Sequence, residues 1–287
     1  MKTSKILLTL FFISFSFIVK GQVSFEPDST FVYKKTLQGD LKMHVFKPSN
    51  HNVLYKRPVI VFFFGGGWVG GNPKQFYQQA RFFADKDYLA ISAEYRVGNK
   101  HKTTPFECVN DGKSAIRWVR EHANELRIDP GKIIASGASA GGHVAACTGV
   151  IKGFEEEGEN LNISSIPNAM ILFNPVVDTT EKGYGMAKVG ESRKTKISPC
   201  DNVVIGIPKT LIFHGIADKT VPFENIDRFT KQMNEAGNIC ELIAFKGKGH
   251  GFFNGSYFRK KSTDEVFNVT MEKSMTFLKE HNFKAEK

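Results

Sequence analysis

The chain has 287 residues, 41% of them hydrophobic and 24% charged, with a formal net charge of +10. That balance is ordinary for a globular protein and too apolar for a disordered one. The positive residues are scattered, with no aromatic-interleaved stripe and no nucleic-acid motif, so a nucleic-acid partner has no support.

In chain order, the first feature is Lys2 and Lys5 ahead of an apolar run from Ile6 to Val19, followed by Lys20-Gly21-Gln22. A basic start, an apolar stretch and a small residue behind it have the form of a secretory signal peptide. The run is shorter than the roughly 20 apolar residues that a transmembrane helix needs. Residues 1–21 are therefore expected to be removed, leaving 22–287 as a single domain, secreted or periplasmic, with no stable membrane insertion.

Residues 31–36 and 41–46 read as two edge strands around the Gln38-Gly39-Asp40 turn. Apolar runs come next at 59–64, 88–93, 132–135, 169–173, 210–213 and 239–245. Several are almost continuously apolar, as in parallel strands covered on both faces. Helical patterns lie between them at 75–85, 106–126, 143–151, 224–236 and 268–282, with Arg117, Arg120 and Glu121 on the outer face of the second. This alternation predicts an α/β fold with a mostly parallel sheet of eight strands and helices on both faces. Residues 176–208 and 251–265 fit no regular element, and irregular stretches of that length are usually functional.

The chemistry centres on Gly137-Ala138-Ser139-Ala140-Gly141, which ends an apolar run and leads into small, helix-compatible residues. A strand, Gly-x-Ser-x-Gly and a helix form a nucleophile elbow, in which a sharp turn exposes one serine. A serine hydroxyl needs a base. Of the eight histidines, His250 stands in the glycine-rich loop Gly247-Lys248-Gly249-His250-Gly251 after the last apolar strand. His143 begins the helix behind the elbow and is expected to support it. Asp218, in the turn after the 210–213 strand, is the candidate to orient His250; Asp201, Glu224 and Asp227 are its nearest rivals. The order Ser139, Asp218, His250 is that of an α/β-hydrolase triad.

An oxyanion hole needs preorganised donors. The backbone N–H groups of Gly66 and Gly67, in Gly65-Gly66-Gly67-Trp68, and of Ala140 are assigned to it. Trp68 is expected to bind substrate at the acyl pocket and to limit chain length there. No Cys-x-x-Cys or histidine cluster suggests a metal. Cys108 and Cys147 read as small buried hydrophobes, and spacing does not choose among the pairings open to Cys108, Cys147, Cys200 and Cys240. Sequons at Asn162, Asn254 and Asn268 carry meaning only in a glycosylating host.

Together these residues resemble the α/β-hydrolase superfamily, and most closely its esterases of the hormone-sensitive-lipase and feruloyl or acetyl-xylan esterase type. The resemblance runs from about Ser29 to Phe283 and is anchored on Gly65-Gly66-Gly67-Trp68, Tyr95-Arg96, Asp111, the elbow, Asp218 and His250-Gly251. It departs at Phe64, where the family usually has histidine. The resemblance implies ester hydrolysis through an acyl-enzyme, with no metal or organic cofactor. It also implies a small-molecule or polysaccharide ester as substrate. The same fold hosts peptidases, thioesterases and non-catalytic binding proteins. The presence of all three triad residues argues against a non-catalytic binding protein.

Overall fold

The computed structural model describes residues 25–49 and 55–284; the expected signal peptide lies outside the described residues. Eight strands form one sheet: β1 (Ser29–Thr36), β2 (Gly39–Phe46), β3 (Arg57–Phe63), β4 (Leu89–Ala93), β5 (Ile128–Ala138), β6 (Ala169–Phe173), β7 (Lys209–Gly215) and β8 (Cys240–Phe245). Their order across the sheet is β1-β2-β4-β3-β5-β6-β7-β8. Only the β1–β2 and β2–β4 pairs are antiparallel. All pairs from β4 to β8 are parallel. The β1–β2 hairpin closes through Leu37 and Gln38, with Thr36 opposite Gly39. Within β2, Leu41, Met43 and Val45 point to the core, whereas β3 and β4 are buried along their whole length. Strands buried on both faces have no polar side to show, which is why they read as continuous apolar runs.

The helices are α1 (Tyr77–Ala84), α2 (Gly98–His101), α3 (Pro105–Glu121), α4 (Ala123–Leu126), α5 (Ala140–Val150), α6 (Met186–Val189), α7 (Phe223–Glu235) and α8 (Glu265–Glu280). A capping box starts α3: Thr104 caps its N-terminus while Glu107 accepts from the Thr104 backbone at 2.7 Å. The continuous helix expected over 106–126 breaks at His122 (φ −93°, ψ 21°), and α4 ends at left-handed Arg127. Arg117 does not face outward as its spacing suggests. It is buried, donates to the Ile163 carbonyl at 2.8 Å, and pairs with Glu155 and Glu159 of the loop after α5. That loop covers a face that periodicity alone would leave wet. None of the helices among the described residues is long and apolar enough to cross a membrane.

One buried polar cluster fixes the strand ends. Asp111, in the middle of α3 and fully buried, accepts from Lys34 Nζ at 2.7 Å, from Arg96 Nη2 at 2.8 Å and from the Arg96 backbone N–H at 2.8 Å. Glu156 bridges the same two cations, at 2.7 Å from Lys34 and 3.0 Å from Arg96. Next to Arg96, the Tyr95 hydroxyl donates to the Phe64 carbonyl at 2.6 Å, and the two rings stack with centroids 4.3 Å apart. At Phe64, where the resemblance led one to expect histidine, this chain uses an aromatic pair. The cluster ties the segment after β4 to the segment after β3, where the glycines begin.

Removing one partner of a buried ion pair typically costs about 3–5 kcal/mol, because the remaining charge loses its compensation. Asp111→Ala should therefore lower the unfolding free energy by about that amount in urea titrations. A loss below about 1 kcal/mol, the range of a surface pair, would show that the cluster is not the anchor.

Candidate active site

The β5 strand ends at Ala138 and α5 begins at Ala140; Ser139 between them has φ 54° and ψ −121°. A non-glycine residue in that region is held there by its surroundings. The turn is as tight as the elbow pattern implies. A Cβ on Gly141 would lie 2.2 Å from the carbonyl oxygens of both Phe63 and Phe64, so α5 can reach the end of β3 only without a side chain there.

His250 lies in the loop after β8, and its Nδ1–H donates to Asp218 Oδ2 at 2.8 Å. Asp218 stands just beyond β7. Its Oδ1 accepts from the backbone N–H groups of Thr220 at 2.8 Å and Val221 at 3.0 Å, and Asn174 Nδ2 donates to Oδ2 at 2.6 Å. Burial opposes ionisation of this carboxyl. The bond from His250 and those from Val221 and Thr220 outweigh it and hold the carboxyl at about 2. With Nδ1 committed to Asp218, Nε2 is the nitrogen left for Ser139. The two residues share the wall of a cavity of about 410 Å³ rather than a hydrogen bond. Such looser geometry is common before substrate enters.

The glycine loop forms another wall of that cavity. The Gly65 N–H is occupied, donating to Gln75 Oε1 at 2.6 Å. Gly66 and Gly67 have no protein acceptor for their N–H groups among the described residues. Ala140, as the first residue of α5, has no intrahelical acceptor. Gly66 has φ 138°, and a Cβ on it would lie 2.2 Å from the Gly70 carbonyl oxygen. No other residue fits that turn.

Neither Gln75 nor Asn254 stands out in the sequence as a site residue, yet they link the two loops. Gln75 Nε2 donates to Asn254 Oδ1 at 3.1 Å, and Asn254 Nδ2 donates to the Gly251 carbonyl at 2.9 Å. Asn254 is buried, so its sequon is spent on structure. Asn174, directly after β6, is equally silent. Its only sequence signal is its position at a strand end.

Trp68 is not brought to the cavity. It is 1% exposed, with its ring edge-on to His143 at 5.1 Å and beside Tyr184 at 5.6 Å. Tyr184, from the irregular stretch 176–208, takes the wall position expected of Trp68. The backbone at Trp68 is left-handed, at φ 61°, and the ring lies beneath the loop instead of within the pocket. The other irregular stretch contributes Phe253, Asn254, Phe258 and Arg259 to the cavity. His143 supports the elbow from below: its Nε2–H donates to the Ile197 carbonyl at 2.7 Å, and burial lowers its pKa to about 4, leaving it neutral. His214 is also buried and donates through Nε2–H to the Val221 carbonyl at 3.0 Å. The rival acids Asp201, Glu224 and Asp227 do not line the cavity, and Asp227 pairs with Lys231 at 2.7 Å along α7.

Residues 43–187 match the BD-FAE family. The chain belongs to that family and, with it, to the α/β-hydrolase esterases. Residues 171–271, which carry Asp218 and His250, also match the prolyl oligopeptidase family. Among solved structures, the BD-FAE chain is 43% identical to esterase 2 of Thermogutta terrifontis with propionate bound. The TM-score is 0.85, over 92% of this chain and 98% of that one. The same esterase phosphorylated by paraoxon matches at 45% identity and a TM-score of 0.83, covering 90% of this chain and 96% of that one. An isoprenylcysteine alpha-carbonyl methylesterase of Arabidopsis thaliana is 27% identical over 231 residues, 73% of this chain and 53% of its own length. An acetylxylan esterase of Xylanibacter ruminicola is 26% identical over 237 residues, 77% of this chain and 45% of its own. The chain thus spans about half the length of the curated relatives it matches.

The depressed Asp218 pKa has a consequence for stability. The folded value of about 2 lies below the ordinary 3.8, so the ionised carboxylate adds stability that is fully present above about pH 4 and lost as pH falls towards 2. The stability difference between the wild type and Asp218→Asn should therefore shrink over that window in acid titrations followed by circular dichroism. A difference constant from pH 7 to pH 2 would contradict the assigned bonding.

Proposed function

We propose that this protein is a secreted serine esterase that hydrolyses short-chain or carbohydrate-linked carboxylic esters through an acyl-enzyme. The observation that carries the reading is one cavity bounded by Ser139, by His250 bonded to a buried Asp218, and by backbone donors with no partner of their own among the described residues.

In this reading Ser139 Oγ attacks the ester carbonyl while His250 Nε2 takes its proton. Asp218 holds the ring in the Nδ1–H tautomer and stabilises the imidazolium. The tetrahedral oxyanion is held by the N–H groups of Gly66, Gly67 and Ala140. The alcohol leaves with the proton from His250, and the acyl group remains on Ser139. Water then gives a proton to His250 and attacks the acyl-enzyme. When this second intermediate collapses, the acid leaves and the proton returns to Ser139.

Short acyl groups are supported by a cavity wall in which Tyr184 is backed by Trp68 and His143. They are also supported by the likeness to an esterase solved with propionate and with butyrate. A carbohydrate alcohol is supported by the likeness to an acetylxylan esterase. Export rests on the basic and apolar pattern of residues 1–21.

Ser139→Ala should abolish hydrolysis of 4-nitrophenyl acetate while leaving the circular dichroism spectrum unchanged. The expected loss is several orders of magnitude, with about 10³–10⁴ over water remaining from the oxyanion donors and binding. Unchanged turnover in a folded variant removes Ser139 from the mechanism.

Chain length tests the substrate range separately. With 4-nitrophenyl esters, kcat/KM should be highest from acetyl to butyryl and fall steeply towards octanoyl. Each methylene in a fitted pocket is worth roughly 1–3 kcal/mol of discrimination. An optimum at eight carbons or beyond would overturn the short-chain assignment.

A further inference from the structure

We propose that Arg259 recognises a carboxylate on the substrate, so that the preferred esters carry a negative charge; this rests on the esterase reading above. Arg259 lines the catalytic cavity together with Ser139 and His250. It also lines two adjoining cavities of about 430 and 450 Å³, which hold Lys248, Lys260 and Lys261. No aspartate or glutamate lines any of the three. A substrate in this groove therefore meets four cations and no acid.

The cations buried in the core are treated differently. Lys34, Arg57, Arg96 and Arg117 all have carboxylate partners. Arg259, Lys248, Lys260 and Lys261 form no ion pair among the described residues. The acids nearest in sequence are engaged or do not line these cavities. Asp264 accepts from the Ser256 backbone and hydroxyl, both at 2.5 Å, and Glu265 opens α8 and lines none of these three cavities. Asp218 lies behind His250 and is saturated by its own donors. The Arg259 guanidinium stands beside the base. A Cβ on Gly251, the residue after His250, would lie 3.2 Å from Arg259 Nη2.

A planar guanidinium offers paired donors that match a carboxylate in two parallel bonds, which an ammonium cannot reproduce. The surrounding lysines add a positive potential that draws anions to the mouth of the site. The carboxylate can belong to the alcohol, as in an acylated uronic acid, or to the acyl group, as in a dicarboxylate half-ester. Both present the same chemistry to Arg259.

Two matched substrate pairs distinguish these sources: acetylated methyl glucuronoside against acetylated methyl glucoside, and monoethyl succinate against ethyl butyrate. For at least one pair, wild-type kcat/KM should favour the charged member by about fivefold, the scale of a partly exposed ion pair. The gain should sit in KM and fade as ionic strength rises from about 0.01 to 1 M, where the screening length drops to about 3 Å. Arg259→Gln should bring the charged-to-neutral ratio close to one, and Arg259→Lys should retain part of it. A ratio near one in the wild type for both pairs overturns the proposal, as does a ratio unchanged in Arg259→Gln. If 4-nitrophenyl acetate is cleaved but neither pair is discriminated, the esterase reading stands and the carboxylate reading falls. If no ester at all is cleaved, the esterase reading itself has failed.

Discussion

The α5 helix meets the end of β3 with no space for a side chain between them. Gly141 lies against the carbonyls of Phe63 and Phe64, and that contact sets the distance between the serine elbow and the glycine loop. The register of the sheet carries the constraint sideways. Phe63 pairs with Gly137, Ala138 with Phe173, and Phe173 with Phe213, so β3, β5 and β6 end close to a common line and β7 runs on from it to Gly215. The segments that leave these four strands therefore meet at a common edge, which gathers the oxyanion glycines, Ser139, Asn174 and the turn that carries Asp218. Parallel strands deliver their carboxyl ends to one side, and a site assembled there needs no long excursions of the chain.

Three strained residues lie along the same edge. Ser139, Asn174 and Trp68 all hold positive φ without being glycine. Each such residue costs on the order of 1–3 kcal/mol. Ordered hydrogen bonds across strand ends keep two of them in place. The Ser139 N–H donates to the Phe173 carbonyl at 3.0 Å, and the Asn174 N–H donates to the Phe213 carbonyl at 2.9 Å. The side chain of Asn174 then orients Asp218. At Ser139 and Asn174 the locally costly conformation is the one that aims a functional group.

Two buried aspartates show how surroundings decide a role. Asp111 faces two cations and serves as a strut between α3 and the segment after β4. Asp218 faces amides and two imidazoles, of which that of His250 opens onto the cavity, so its charge is available to a proton on His250. Charge compensation is near complete around Asp111, whereas Arg259 has no ion-pair partner among the described residues. Interior charges need partners to survive burial, whereas an exposed guanidinium can be left without one. The cysteines belong to neither group: Cys108, Cys147, Cys200 and Cys240 are all buried free thiols.

Much of the fold was legible in the sequence, because strands covered on both faces must be apolar throughout and helices between them must alternate. The positions of eight strands, the Gly-x-Ser-x-Gly turn and the order of serine, acid and base come from those local rules. The sequence did not show that α3 breaks at His122, or that Arg117 is buried under the 155–159 loop. It did not show that Tyr184 and not Trp68 reaches the cavity. Nor could it link Gln75 to Asn254, which lie 179 positions apart, or show that Arg259 lines the same cavity as His250 with no ion-pair partner among the described residues. Periodicity reports which face of an element avoids water, and glycine patterns report where the backbone must turn. Which side chains meet across loops depends on how distant segments close over the sheet, and only the tertiary structure decides that.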